Sequence, residues 1–72
     1  PRLLPVDSSS IAAVGYVPLR RELIVQFRER DAVYAYENVT ESEFRALLAA
    51  ASKGRYLNLW IKPRHRFRRL SA

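Results

Sequence analysis

At Thr40 the spacing of apolar residues changes from every second position to about every 3.6. Such a chain is constrained to place strands first and helices after. Neither half can bury its apolar side alone, so the two must pack on each other. Before the change, residues 11–16 (Ile-Ala-Ala-Val-Gly-Tyr) read as a first strand, apolar throughout. Pro18 breaks it, because proline cannot donate to a ladder. Residues 22–28 alternate, with Leu23, Val25 and Phe27 on one face and Glu22, Ile24, Gln26 and Arg28 on the other. Glu29-Arg30-Asp31 is a charged connection of hairpin length. Residues 32–37 form a third strand, with Tyr34 and Tyr36 on one face and Val33 and Ala35 on the other. Short loops imply antiparallel neighbours.

After the change, Thr40-Glu41-Ser42-Glu43 is a capping box that opens a helix. Phe44, Leu47, Leu48 and Ala51 form its expected apolar stripe. A second helix is expected over residues 53–62, with Tyr56, Leu57, Trp60 and Ile61 facing the sheet. Gly54 permits a tight corner between the helices, and Pro63 stops the second one. The expected fold is α+β: a three-stranded antiparallel sheet followed by two helices packed on one face, β-β-β-α-α. Residues 1–10 form an irregular lead-in, 11–63 the domain and 64–72 a basic C-terminal segment. The loose alternation of Arg66-Phe67-Arg68-Arg69-Leu70 suits either a final strand or a basic tail.

A chain of 72 residues buries a modest share of its surface and has a thin stability margin. It has no cysteine, so disulfides are excluded; His65 is its only soft metal ligand, so neither a metal nor a cofactor is expected. A well-packed core or a homodimer remains as the stabiliser. The lack of cysteine fits a reducing cytoplasm. No apolar run approaches the roughly 18 residues of a membrane span.

Charge is divided unevenly. Residues 1–51 carry six cations and seven acids; residues 52–72 carry seven cations (Lys53, Arg55, Lys62, Arg64, Arg66, Arg68, Arg69) and no acid. A balanced body with a basic rear is the footprint of a module that meets polyanions.

Several segments carry a family resemblance. They are Val6-Asp7-Ser8-Ser9-Ser10-Ile11, Val14-Gly15-Tyr16, the strand from Leu23 to Phe27, Tyr34-Ala35-Tyr36, Ala51-Ser52-Lys53-Gly54-Arg55-Tyr56, Asn58 and Ile61-Lys62. In order and spacing, over nearly the whole chain, this resembles the KTSC domain. That family comprises small bacterial and phage proteins and a C-terminal appendage of some lysyl-tRNA synthetases. The chain departs from its pattern in the hairpin Glu29-Arg30-Asp31, which lacks a glycine, and at Val39-Thr40, where a Val-Pro pair is usual. The resemblance implies the α+β fold and adds weight to RNA as the partner.

The residues offer four constellations. The basic rear suits phosphates, since arginine forks bind them bidentately; the competing reading is a solvated tail. Tyr34 and Tyr36 are candidates to stack bases, or else to lie half-buried under the helices. Arg55, Asn58 and Lys62 share a polar helix face that can meet phosphates or base edges, and Trp60 is either a stacking platform or core. Ser8, Ser9 and Ser10 are expected to form a turn, and His65 a surface residue or phosphate contact rather than a catalytic base, because no acid lies near it in sequence to orient it. No enzyme signature is found. The expected function is a non-catalytic module binding RNA or single-stranded nucleic acid through Lys53, Arg55, Asn58, Lys62, Arg64, Arg66, Arg68 and Arg69, with Tyr34, Tyr36 and Trp60 available for stacking. The alternative is a protein-interaction or homodimerising module that docks on an acidic partner.

Overall fold

The computed structural model describes residues 2–30 and 32–70. Asp31 of the expected charged connection, Pro1 of the lead-in and Ser71 and Ala72 of the basic segment lie outside them. The elements in order are β1 (Leu4–Pro5), β2 (Ile11–Val17), β3 (Glu22–Phe27), β4 (Val33–Tyr36), α1 (Glu41–Ala49), α2 (Lys53–Tyr56) running directly into a π-helical turn (Leu57–Ile61), and β5 (Phe67–Arg69). The strands form one antiparallel sheet in the order β1-β2-β3-β4-β5. The expected α+β class holds, but the sheet has five strands rather than three, and β5 returns to it after the helices. Both flanking segments thus enter the sheet. Strands of two and three residues are too short to display a period.

Cross-strand register explains which side chains face the helices. Tyr16, Leu23, Tyr36 and Phe67 stand in one row across four strands, and Val14, Val25, Tyr34 and Arg69 in the next. A β-bulge between Ile11 and Ala13 turns Ile11 inward as well as Val14, although three positions separate them. The core joins these residues to Val39, Leu47, Leu57 and Ile61. The opposite face of the sheet is built from small residues, Ala13, Gly15 and Ala35, around Ile24. A Cβ on Gly15 would sit 2.8 Å from the Arg2 carbonyl oxygen, so the lead-in lies directly on this glycine.

The capping box at Thr40 forms as expected. The Thr40 hydroxyl accepts from the Glu43 N–H at 3.1 Å, and the Glu43 carboxylate accepts from the Thr40 N–H at 2.9 Å. The expected stripe is narrower than its spacing suggests. Leu47 is fully buried and Phe44 stacks on Tyr16 with ring centroids 5.1 Å apart, but Leu48 is 36% exposed. Ala51 lies beyond the helix, because Ala50 turns extended to let Ser52 cap α2. Gly54 has no left-handed backbone; it is small because Ser10 presses against it, and a Cβ there would collide with the Ser10 hydroxyl.

Candidate functional site

The Ser8–Ser10 loop is held from several sides. The Ser8 hydroxyl accepts from the N–H groups of Ser10 and Ile11, as the expected turn requires. Arg28 Nε donates to the Ser8 carbonyl at 2.7 Å and Nη2 to that of Val6 at 3.2 Å, while the Arg28 N–H donates to the Ser10 carbonyl. Arg28 therefore fixes the loop at the end of β3, a role that its outward position in the alternation did not suggest.

Against this loop lies the helix of residues 53–61. Ser52 caps it by accepting from the Arg55 N–H. Two hollows open between helix and loop and share Ser10, Gly54 and Asn58. The larger, about 590 Å³, is hydroxyl-rich: Ser8, Ser9, Ser10 and Ser52 line it together with Asp7, Lys53 and Arg55. The smaller, about 210 Å³, has Phe27, Tyr34 and Leu57 as its apolar walls and Glu29, Arg30 and Lys62 among its polar groups. The sequence-predicted trio Arg55, Asn58 and Lys62 is thus brought to one trough of two adjoining hollows, with Arg55 in the larger, Lys62 in the smaller and Asn58 shared by both.

An aromatic run leads away from the smaller hollow. Phe27 meets Tyr34 edge-on at 5.6 Å, and Tyr34 meets Phe67 at 5.5 Å. Cations cover the rings: Lys62 Nζ lies 5.3 Å from the Phe27 centroid and the Arg69 guanidinium 6.0 Å from that of Tyr34. Arg64 lies over Trp60 at 5.2 Å. Trp60 is 48% exposed, so it is not core. The reason is the π-helical turn, closed by the Lys62 N–H donating to the Leu57 carbonyl at 2.8 Å. An i→i+5 ladder advances each residue by less than the 100° of an α-helix, which keeps Leu57 and Ile61 inward and carries Trp60 out.

Other expected site residues are placed elsewhere. Tyr36 is only 2% exposed, seated between Leu23 and Phe67 in its row, and cannot stack on a ligand. Burial, with Tyr34 beside it, pushes its phenol up to about 12. Arg68 projects from the opposite face and binds the buried Glu22 with both guanidinium arms, with Glu37 at 3.9 Å. The hydrogen bond from Arg68 holds the Glu22 carboxyl below its usual range, with burial opposing and the charges of Arg68 and Arg20 assisting. Arg68 is therefore a fold contact rather than a free phosphate contact. Lys53 Nζ donates to the Ala50 carbonyl at 3.1 Å, closing the end of α1. Arg66 lines a separate hollow with Arg64, Glu37, Asn38 and His65. His65 is not a surface residue. Its ring lies between the Glu37 carbonyl, 2.9 Å from Nδ1, and the Glu43 carboxylate, 2.8 Å from Nε2. The acid that orients it comes from 22 positions away. Both ring nitrogens are engaged within the fold. Among the described residues no cluster of His, Cys, Asp and Glu could hold a metal ion, and no helix is long and apolar enough to cross a membrane.

Fold and trough together define a small α+β domain: an antiparallel five-stranded sheet with a capped helix pair on one face and a cation-rimmed trough at the edge of that pair. Residues 7–67 match the KTSC domain family, and the chain belongs to it. A protein of Tsukamurella paurometabola is 45% identical over 62 residues, covering 86% of this chain and 91% of its own. An uncharacterized protein of Stutzerimonas stutzeri is 42% identical over 60 residues, covering 83% of each. The crystal structure of a KTSC domain protein from Yersinia pestis superposes with a TM-score of 0.92 at 37% identity, covering 97% of both chains.

Proposed function

We propose that this chain is a non-catalytic module for single-stranded nucleic acid, RNA foremost. The observation that supports the reading most is the trough, in which Asn58 and Lys62 line the hollow walled by Phe27 and Tyr34, and Arg55 lines the adjoining hollow. Cations beside aromatic faces are what single-strand binders use: the charge tracks phosphates and the rings stack bases. Lys53, Arg55, Lys62 and Arg64 hold the backbone in this reading, with Arg66 and Arg69 flanking, and Trp60 is an exposed stacking surface. Duplex DNA suits the surface less well, because the helix of residues 53–61 is short and packs its Leu57 and Ile61 on the sheet instead of projecting as a reading helix. Fluorescence anisotropy of labelled single-stranded RNA across a salt series tests the proposal. Each phosphate neutralised contributes a slope of about 0.7 in log affinity against log salt. A slope of a few units, with binding that survives heparin competition, is the expected result. No binding at low salt overturns it.

A second reading is favoured by one feature. β5 is an edge strand, and Phe67 is 60% exposed on it. Edge strands invite strand addition. Arg66, Arg68 and Arg69 crowd this edge with positive charge, which opposes a homodimer through it and favours an acidic protein segment. Co-sedimentation with an acidic peptide, competed by RNA, separates the two readings.

A further inference from the structure

We propose that the smaller hollow takes one unpaired guanine of a single-stranded RNA, with the neighbouring hydroxyl-rich hollow taking the adjacent phosphate. The inference rests on the nucleic-acid reading above and specifies it.

The division of the trough supplies the first reason. One end has apolar walls, Phe27, Tyr34 and Leu57, beneath a polar rim; the other has four serines, Lys53 and Arg55. A nucleotide has the same division between a flat base and a charged phosphate. The two hollows adjoin where the Ser10 side chain packs against Gly54, and they share both residues as lining, so a base in one and its phosphate in the other lie on either side of this contact. Asn58 lines both, which places an amide with donors and an acceptor where the base joins its backbone.

The rim supplies the second reason. Its acid is Glu29, and its donors are Arg30, Lys62 and the Asn58 amide. Guanine alone among the four bases sets two N–H donors side by side next to a carbonyl acceptor on its Watson–Crick edge. A carboxylate accepts from both donors, and a cation or amide beside it donates to the carbonyl. Adenine and cytosine each set one amino donor beside a ring-nitrogen acceptor that a carboxylate repels. Uracil sets one donor between two carbonyls. Reading an unstacked base on this edge is the usual manner of sequence-specific RNA recognition.

Lys62 supplies the third. It now covers the Phe27 ring. An exposed cation–π contact is weaker than a base stacked on an aromatic ring. A base that displaces Lys62 from the ring gains the aromatic face and frees the ammonium for the guanine carbonyl or a phosphate.

The test uses four uridine ten-mers that differ only at one central position, carrying G, A, C or U, titrated by anisotropy with the wild-type chain and with Glu29→Gln and Asn58→Leu. The expected preference is about tenfold for the G oligomer over the other three, the size of a good polar base contact. Both substitutions should reduce it to under about threefold, with thermal midpoints showing that each variant folds. Four oligomers bound within twofold of one another, with a normal salt slope, overturn this inference and leave the nucleic-acid reading intact. A preference for another base, or one that survives Glu29→Gln, also overturns it. No binding of any oligomer overturns both.

Discussion

His65 Nε2 and Glu43 Oε2 lie 2.8 Å apart, which ties the chain just before β5 to the first turn of α1. The same carboxylate closes the capping box through Oε1, so Glu43 serves both contacts at once. On the other side of the ring the Glu37 carbonyl can only accept, so Nδ1 must donate to it. Burial pushes the Glu43 carboxyl upward, but the Thr40 N–H and the His65 ring outweigh this and hold it below its ordinary value. Glu22 is depressed as well. A carboxyl depressed in the folded state contributes stability above its unfolded pKa, about 4.3 for glutamate, and loses it as the pH falls through the folded pKa. The urea midpoint should therefore hold steady above that value and fall below it, and Glu43→Gln should flatten part of the fall. A midpoint that does not move between about pH 5 and pH 2 would contradict these roles.

Adjacent leucines on α1 should behave differently. Leu47 is fully buried among Val39, Leu57 and Ile61, and Leu47→Ala should cost about 2–5 kcal/mol, enough to unfold a domain of this size. Leu48, with more than a third of its surface in water, should cost under about 1 kcal/mol when cut to alanine, in the range of ordinary surface changes. Chemical denaturation of the two variants decides the matter. Equal losses would mean that the helix is turned differently on the sheet.

The two glycines form a second contrasting pair. At Gly15 the obstacle to a methyl group is the Arg2 backbone, which cannot rotate away, so Gly15→Ala should displace β1 from the sheet. At Gly54 the obstacle is the Ser10 hydroxyl, and a rotamer change removes it. Alanine is also the better helix former by about 1 kcal/mol, so Gly54→Ala should be neutral or stabilising while narrowing the trough. Thermal midpoints should show the difference, and RNA affinity should fall only for the second variant.

Tyr36 should ionise late. Its phenol pKa is raised to about 12 because the hydroxyl group is buried beside Tyr34. A phenol raised in the folded state contributes stability that is complete below its unfolded value, near 10, and is lost as the pH rises through the folded one. Ultraviolet titration should show a late component that Tyr36→Phe removes. A titration curve that Tyr36→Phe leaves without a change in its late part would place Tyr36 in water.

Much of this was legible from local pattern, and the remainder depended on contacts between distant residues. The alternation of Leu23, Val25 and Phe27 and the capping box at Thr40 are local, and both appear where the spacing puts them. Arg55, Asn58 and Lys62 were grouped by helical spacing, and the trough gathers them. Trp60 was left open between core and an exposed platform; its place in the apolar stripe pointed to the sheet, and the π-helical turn that carries it outward leaves no mark in a period counted at 3.6. The alternation of residues 66–70 left strand and basic tail both open, because its arginines also read as solvent-facing; what decides for the strand is pairing with β4, and Arg68 has a partner 46 residues earlier. Pairing over that distance has no periodic signature, and the same holds for His65 and Glu43.

The contact between Arg68 and Glu22 separates a fold role from a binding role within the basic rear. Arg68 sits opposite Ala35 on β4 and must cross that strand to reach Glu22 on β3. The crossing needs a small residue beneath it, which Ala35 provides. Glu22 is buried, so removing Arg68 strands a carboxylate with most of its hydration gone. Arg68→Ala should therefore lower the urea midpoint, because the Glu22 carboxylate loses its two guanidinium hydrogen bonds. Glu22→Gln in the same chain should recover part of the loss, because the stranded group no longer carries charge. Arg55→Ala and Lys62→Ala should do the reverse, leaving the urea midpoint near that of the wild type and lowering the RNA salt slope by about 0.7 each. A double-mutant cycle on Arg68 and Glu22, run beside salt titrations of all four variants, checks both statements. If Arg68→Ala lowers the salt slope and leaves stability unchanged, its guanidinium serves a phosphate in solution and the pairing with Glu22 is incidental.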